Sequence, residues 1–385
     1  MPTIYRAGVI GRTGKGDYGH GLDVTFDKVP NAKLVAISDD NPDGLLAAGK
    51  KTGVNQLYAD YREMLAKEQL DLVCVAPRYV DCHAEMIMAA AEAGVKGIFC
   101  EKPLARTLAE ADAILAACEK SGTRVAVAHR RASPYEWHGK KLVDEGLIGK
   151  VQRMVGRGKG DHRAGGQDLF VLGTHVLDSM RYFAGAEVAW ATGHVTQDGR
   201  EVTATDAREG DEGVGLLAGN ALHGYYVFEN GITAQFESNA VPSSGGDQNS
   251  RWFGFEVHGS AGILSLRNSP GGELYHYPHG MWIPGEDDPK WERIMLDEWE
   301  FKPDGTFRSG AERMHESNRL IVEELMQAIE EDRDVVQASS GHDARAALEM
   351  IMAVHESHRL QQRVTFPLKN RENPYQVWHE SVRNR

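Results

Sequence analysis

Cysteine is scarce in this sequence, and Cys74, Cys82, Cys100 and Cys118 form no C-x-x-C couple. Most fall inside apolar segments, which suits buried, reduced thiols and argues against a disulfide framework, a redox centre or a cysteine-ligated metal. Positive charge is short as well. Lys and Arg number 43 against 56 Asp and Glu, a net charge of −13, so neither nucleic acid nor an anionic membrane is an expected partner. No apolar run approaches bilayer-spanning length, and the chain enters a strand pattern without the basic and apolar regions of a leader. The expectation is a cytoplasmic protein. Internal repeats and low-complexity tracts are also missing, which argues against solenoids, propellers and disordered tails.

What is present is an ordinary globular composition, 41% apolar and 26% charged, over 385 residues. That length is too great for one core and predicts two domains. Through residues 1–130, short apolar strands at 5–10, 33–38, 72–76, 97–100 and 124–128 alternate with helix signals at 43–52, 60–68, 81–93 and 107–121. Capping patterns open two of these helices, Asp60-x-x-Glu63 and Thr107-x-x-Glu110. Such alternation predicts an α/β fold with a parallel, doubly wound sheet. Residues 131–385 read differently. After a helix at 137–145, longer strands at 151–158, 187–195, 222–228, 232–239, 252–258 and 262–266 predict an α+β domain with a large, mostly antiparallel sheet open on one face. An open face of that size calls for a partner, so a homodimer or homotetramer through it is expected. Amphipathic helices at 311–331 and 342–362 and a polar tail after Pro367 close the chain.

Chemistry concentrates at strand ends. Strand 5–10 runs into Gly11-Arg12-Thr13-Gly14-Lys15-Gly16-Asp17-Tyr18-Gly19, a phosphate-cradle pattern in which glycines let the backbone approach a pyrophosphate. Gly14, Gly16 and Gly19 match G-x-G-x-x-G, but several residues past the strand; Gly11 holds the strand end, with Thr13 where the second glycine is expected. A mobile loop would look similar. Asp39, ending strand 33–38, is placed to accept from an adenosine ribose, and Asp40 adds a carboxylate that disfavours a 2′-phosphate. NAD is therefore the preferred cofactor, while Arg12 and Lys15 leave NADP open. Asp39-Asp40-Asn41-Pro42 also reads as a plain turn. Strand 97–100 ends in Glu101-Lys102-Pro103, where the proline supplies no N–H and biases Lys102 away from helix. A lysine fixed at a strand's carboxyl end is a candidate catalytic cation; the alternative is a surface ion pair in a turn.

Several ordered motifs together resemble the Gfo/Idh/MocA oxidoreductase family over most of the chain. They are Glu101-Lys102-Pro103, the preceding Val75-Ala76-Pro77 and His83, Gly165-Gly166, Gly173-Thr174-His175-Val176-Leu177-Asp178, and the closing 353–357 and 363–368. The resemblance implies a Rossmann domain holding NAD(P) through Gly11, Arg12, Thr13, Gly14, Gly16, Asp39, Ala76, Pro77, His83, Glu101 and Lys102. It implies a second domain carrying substrate, and hydride transfer between a nicotinamide and a secondary alcohol of a sugar, cyclitol or related polyol. In such members Lys102 and His175 would flank the reacting carbon. Hydride leaves a carbon only if its hydroxyl proton is taken, which suits histidine, while a neighbouring cation steadies the developing oxyanion.

One position departs from the family. Where many members carry an aspartate four residues before the histidine, this chain has Val171, and the nearest upstream acid is Asp168. Asp178, one turn after His175, either orients it or packs structurally. For substrate, the glycine-rich loop 158–168 offers Asp161, His162 and Arg163, and Arg131 and Tyr135 follow the last parallel strand; a connector and packing are the competing readings. His355 and His358 read as a solvated helix face, and no metal is expected. Two other functions fit the same scaffold: a lyase or glycoside-cleaving enzyme using bound NAD or a metal, and a non-catalytic cofactor-sensing regulator.

Overall fold

Four-residue strands whose every side chain is buried, such as Leu72–Val75 and Gly97–Cys100, mark a parallel sheet covered on both faces. The computed structural model describes residues 4–240, 251–268, 271–281 and 289–383, and the chain divides into two units. The first comprises Met1–Ala132, Asp211–Gly215 and Met314–Arg345. Its sheet contains β1 (Tyr5–Ile10), β2 (Ala32–Ser38), β3 (Gln56–Tyr58), β4 (Leu72–Val75), β5 (Gly97–Cys100) and β6 (Arg124–Val127), all parallel, in the order β6-β5-β4-β1-β2-β3. Ser339–Ser340 adds a seventh strand, antiparallel to β6. The chain reverses direction of growth between β1 and β4, and in such sheets the ligand crevice opens at the carboxyl ends beside that reversal.

Local chemistry places the helices between these strands. The Asn41 side chain accepts from the N–H groups of Asp43 and Gly44 at 3.1 and 3.0 Å, ahead of Pro42 at the first helical position. Thr107 accepts from Glu110 N at 3.2 Å, as its capping pattern implies. The helix expected at 81–93 forms as His83–Glu92, after a 3₁₀ turn at Val80–Cys82. A boundary at 130 divides the sequence once; contacts return residues 211–215 and 314–345 to the first unit.

The second unit comprises Ser133–Gly210, Leu216–Arg313 and Ala346–Arg385. Among the described residues ten strands form its sheet, including β7 (Val151–Arg157) and β8 (Val188–Gln197). From one edge the order is Glu292–Ile294, Glu273–Tyr277, Ile263–Arg267, Gly254–Gly259, β7, Thr233–Asn239, Ala221–Phe228, β8 and Val364–Thr365, with Arg200–Glu201 paired to β8. Neighbours are antiparallel except β7 with Thr233–Asn239.

Alternation gives this sheet two unlike faces. Along Ala221–Phe228, Leu222, Gly224, Tyr226 and Phe228 are buried, whereas His223 and Tyr225 are exposed. Helices lie close on the buried face. A Cβ at Gly156 of β7 would stand 2.7 Å from Val176 Cγ1 and 2.5 Å from Met180 Cε of the helix Thr174–Ala184. A Cβ at Gly193 of β8 would stand 2.2 Å from Val354 O of the helix Gly341–Leu360. The other face carries ion pairs, Arg157 with Glu237 at 3.1 Å and Arg267 with Glu256 at 3.2 Å. The polar tail holds a further helix, Pro374–Arg383, anchored by buried Tyr375. Among the described residues no helix is long and apolar enough to cross a membrane.

Because Gly156 leaves no room above it, Gly156→Val must lift the helix that carries His175 or crowd it. Overpacking of this kind costs about 1–3 kcal/mol. Urea unfolding should show that loss; an unchanged midpoint would mean the helix does not depend on this approach.

Candidate active site

Three strand-end turns of the first unit meet at the reversal of its sheet. Beyond β1, Gly11 N donates to Ser38 O at 2.8 Å, and Arg12 and Asp17 exchange backbone bonds of 3.1 and 3.0 Å that fold the glycine-rich turn back on itself. The Arg12 guanidinium pairs with Asp81 at 3.0 Å, and Gly14 N donates to the Asp17 carboxylate at 2.9 Å. Gly16 packs directly against another stretch of backbone. With φ 92° it takes a left-handed conformation, and a Cβ there would stand 2.4 Å from Arg78 N and 2.5 Å from Tyr79 N, in the turn after β4. In that same turn Ala76 N donates to Ile10 O at 3.0 Å, so the ends of β1 and β4 are locked together.

Asp39 departs from its expected role. It is buried, and its carboxylate accepts from Thr13 N at 3.1 Å, Thr13 Oγ1 at 2.6 Å and Asn41 N at 2.9 Å. It shapes the glycine turn instead of facing a ribose, and the exposed acid at the end of β2 is Asp40. His83 also differs. Its ring is wholly buried, with Nδ1 2.8 Å from Pro103 O and Nε2 2.7 Å from Pro77 O. A ring without exposed surface cannot touch a ligand; it braces the turn after β4 against the turn after β5. Burial pushes its pKa down, although both carbonyl contacts oppose that shift.

The turn after β5 holds a buried charge. Glu101 is 1% exposed, and its carboxylate accepts Lys102 N at 2.9 Å through Oε2 and meets His20 Nδ1 through Oε1. Burial alone would push its pKa up, but the charges of His20 and Lys102 and their hydrogen bonds hold it at about 2. Lys102 is itself buried, and its bond to Pro103 is cis. Nearby Cys74 and Cys100 are pushed well up by burial, so these thiols stay protonated.

In the second unit, His175 stands in the first turn of the helix Thr174–Ala184 and is 6% exposed, with Asp178 fully buried one turn on. A π-helical turn, Leu169–Gly173, precedes that helix and contains buried Val171. Asp168 is spent on loop geometry. Its oxygens accept from Lys159 N at 3.2 Å, Gly160 N at 3.0 Å and Ser238 Oγ at 2.5 Å, and burial raises its pKa. The loop's charges close on one another. Arg163 donates to both Asp161 oxygens at 3.1 and 2.6 Å. Although burial opposes it, this pairing holds the Asp161 carboxyl at about 2. The His162 side chain is 79% exposed. Beside the loop, Arg157, Gly158, Gly160, Glu237, Asn239 and Trp252 line a cleft of about 250 Å³.

Two expected substrate contacts are packing residues instead. Arg131 is buried and donates to Ala338 O and Asp343, tying the end of β6 to the strand beside it. Tyr135 is buried, donates to Glu300 and has its hydroxyl pKa pushed up to about 12, chiefly by burial. Nor is there a solvated histidine face. His355 is buried with Nδ1 3.1 Å from Tyr375 OH, and His358 accepts Val195 N at 3.3 Å. Among the described residues, no group of three or more His, Cys, Asp or Glu is placed to hold a metal. His20 and the cleft residues Arg157, Glu237, Asn239 and Trp252 went unread in the sequence, whereas Gly158 and Gly160 belong to the loop it singled out. His20 had one signal, its place inside a glycine-rich turn; Arg157 and Glu237 look like any polar residues of an alternating strand.

Glu101 yields a test in the acid range. Its folded pKa of about 2 lies below the ordinary 4.5, so its stabilisation is present above the unfolded value and drains away as pH falls towards 2. Between about pH 6 and about pH 3 the wild type should lose about 2 kcal/mol more than Glu101→Gln by urea unfolding. Equal slopes would mean that Glu101 is not held ionised.

Comparison with known proteins places these features. A family model described as "Oxidoreductase family, NAD-binding Rossmann fold" matches residues 5–129, and one described as "Oxidoreductase family, C-terminal alpha/beta domain" matches residues 140–366. The D-apiose dehydrogenase of Paraburkholderia graminis is 36% identical over 180 residues, 43% of this chain and 48% of that protein. The myo-inositol 2-dehydrogenase of Thermotoga maritima is 32% identical over 201 residues, 49% of this chain and 59% of its own length. The chain thus spans about half the length of these curated relatives. Among solved structures, a levoglucosan dehydrogenase in complex with NADH and levoglucosan superposes with a TM-score of 0.73 at 22% identity, covering 94% of this chain and 99% of that one. With models matched across both units, the chain belongs to the Gfo/Idh/MocA oxidoreductase family, and its first unit is an NAD-binding Rossmann domain.

Proposed function

We propose that the protein is an NAD-dependent dehydrogenase acting on a secondary alcohol of a sugar, cyclitol or related polyol. The observation that carries the reading is a buried lysine, Lys102, fixed at the carboxyl end of β5 in the same cluster of turns as the glycine cradle. Relatives named for apiose and inositol support the substrate class. The cradle suits a dinucleotide. The backbone beside Gly14 is open, with no atom within 4 Å of where a Cβ would stand, and exposed Asp40 disfavours a 2′-phosphate. Gly11 to Gly16, Ala76 and Pro77 would hold the cofactor, which when bound accepts the hydride.

The chain's own residues handle the proton and the charge. His175 takes the hydroxyl proton, a role that fits an imidazole without large perturbation. Lys102 presents an ammonium that steadies the oxyanion as it forms. Asp178, on the same helix face as His175, orients the ring. The loop bearing Asp161, His162 and Arg163 presents hydrogen-bonding groups to the remaining hydroxyls. The polar sheet face, with exposed Tyr225 and the Arg157–Glu237 pair, is where a second copy docks in a homodimer or homotetramer. Four buried, unbridged cysteines suit the reducing cytoplasm.

A polyol panel with NAD should reveal NADH formation with at least one member. Lys102→Ala and His175→Asn should each lower kcat by about 10²–10⁴-fold, with both variants still folded by circular dichroism. Full activity in Lys102→Ala would overturn the assignment.

A further inference from the structure

The proposed roles leave His20 without a task. It sits in the glycine-rich turn, yet its side chain leaves the phosphate cradle and meets Glu101 Oε1. The chain reaches this place only through Gly19. That residue has φ 56°, and a Cβ on it would stand 2.7 Å from Ala76 O and 3.0 Å from Glu101 Cγ. On the far side, Asn318 Nδ2 donates to His20 O at 3.3 Å from the helix Gly310–Glu330. Two independent contacts therefore fix the residue. Its partners differ sharply in exposure: the His20 side chain is 40% exposed and that of Glu101 is 1%. This is no ordinary surface pair, because one member is a carboxylate withdrawn from water that must find its counter-charge in the protein.

The carboxylate passes the constraint on. While Oε1 meets His20, Oε2 accepts the backbone N–H of Lys102 at 2.9 Å. We propose that His20 is a positioning residue: by holding one oxygen of Glu101 it orients the other, which fixes the Lys102 backbone and so sets where the lysine ammonium stands. The cofactor-cradling turn and the catalytic lysine are thereby joined through one side-chain contact. The inference rests on the role given above to Lys102.

The test uses the full chain with His20→Ala, His20→Asn, Glu101→Gln and the double variant His20→Ala/Glu101→Gln. Asparagine keeps a donor near the position of Nδ1 without the ring. In the cofactor-free protein, hydrogen exchange at the Lys102 amide is read in a peptide spanning Glu101 and Lys102; Pro103 contributes no amide. His20→Ala should speed that exchange about tenfold, and His20→Asn should restore most of the protection. With NAD and a turned-over polyol, His20→Ala should lower kcat by about 10–100-fold, as misplacement of a catalytic group does, while KM for both substrates stays within about threefold. In the Glu101→Gln background, His20→Ala should change kcat less than about twofold, because the residues act as one unit.

Unchanged exchange in His20→Ala would overturn the proposal, and so would an effect of equal size in both backgrounds or one confined to KM for NAD. Should His20→Ala fail to fold, His20→Asn against Glu101→Gln carries the same comparison. The two assignments fail separately. If Lys102→Ala keeps full activity, the catalytic role falls while the exchange measurement still judges the link. If Lys102→Ala is inactive and His20→Ala matches wild type in exchange and kcat, only the positioning role falls.

Discussion

A carboxylate taken out of water at the end of β5 has to be compensated where it stands, and much of the first unit is arranged around that need. Glu101 is satisfied from two directions, by His20 from the turn after β1 and by the backbone N–H of Lys102 beside it. The charges that hold the carboxylate ionised thus come from two segments, the glycine-rich turn after β1 and the lysine after β5. His83 supplies a second tie, spanning Pro77 O and Pro103 O from a wholly buried ring. With the backbone bonds from Ala76 N to Ile10 O and from Glu101 N to Val75 O, these contacts hold the ends of β1, β4 and β5 together.

The second unit meets its own constraint by close approach. Gly156 and Gly193 lack the side chains that would hold two helices off the sheet, and the helix carrying His175 lies directly on β7 as a result. Ahead of that helix, the π turn at Leu169–Gly173 holds Val171 inward, while Asp168 folds the loop 158–168 through Lys159 N, Gly160 N and Ser238. The acid nearest His175 on its upstream side therefore serves architecture.

How much of this could be read from the sequence follows from the range of the forces involved. Runs such as Leu72–Val75 and Gly97–Cys100 announce buried parallel strands because both their faces are apolar, and Thr107 with Glu110 announces a helix start because that bond is local. The strand-end Glu101-Lys102-Pro103 stood out for the same reason. Partnerships across the fold left no such mark. Nothing near Asp39 signals that Thr13 claims its carboxylate, and nothing near Arg131 or Tyr135 signals Asp343 or Glu300. The histidines at 355 and 358 look like a polar stripe until the residues packed over them are known. Segments 211–215 and 314–345 likewise join the first unit through contacts that no local pattern encodes.

The proposed chemistry is hydride transfer from a polyol carbon to a nicotinamide. Its most direct measurement uses a polyol deuterated at its secondary carbinol carbons, incubated with the protein and NAD, with both products followed by mass spectrometry. The account predicts deuterium in the reduced nicotinamide, formed one for one with a ketone. Cleavage or water loss with no net NADH, the deuterium being retained in the product or lost to solvent, would contradict it.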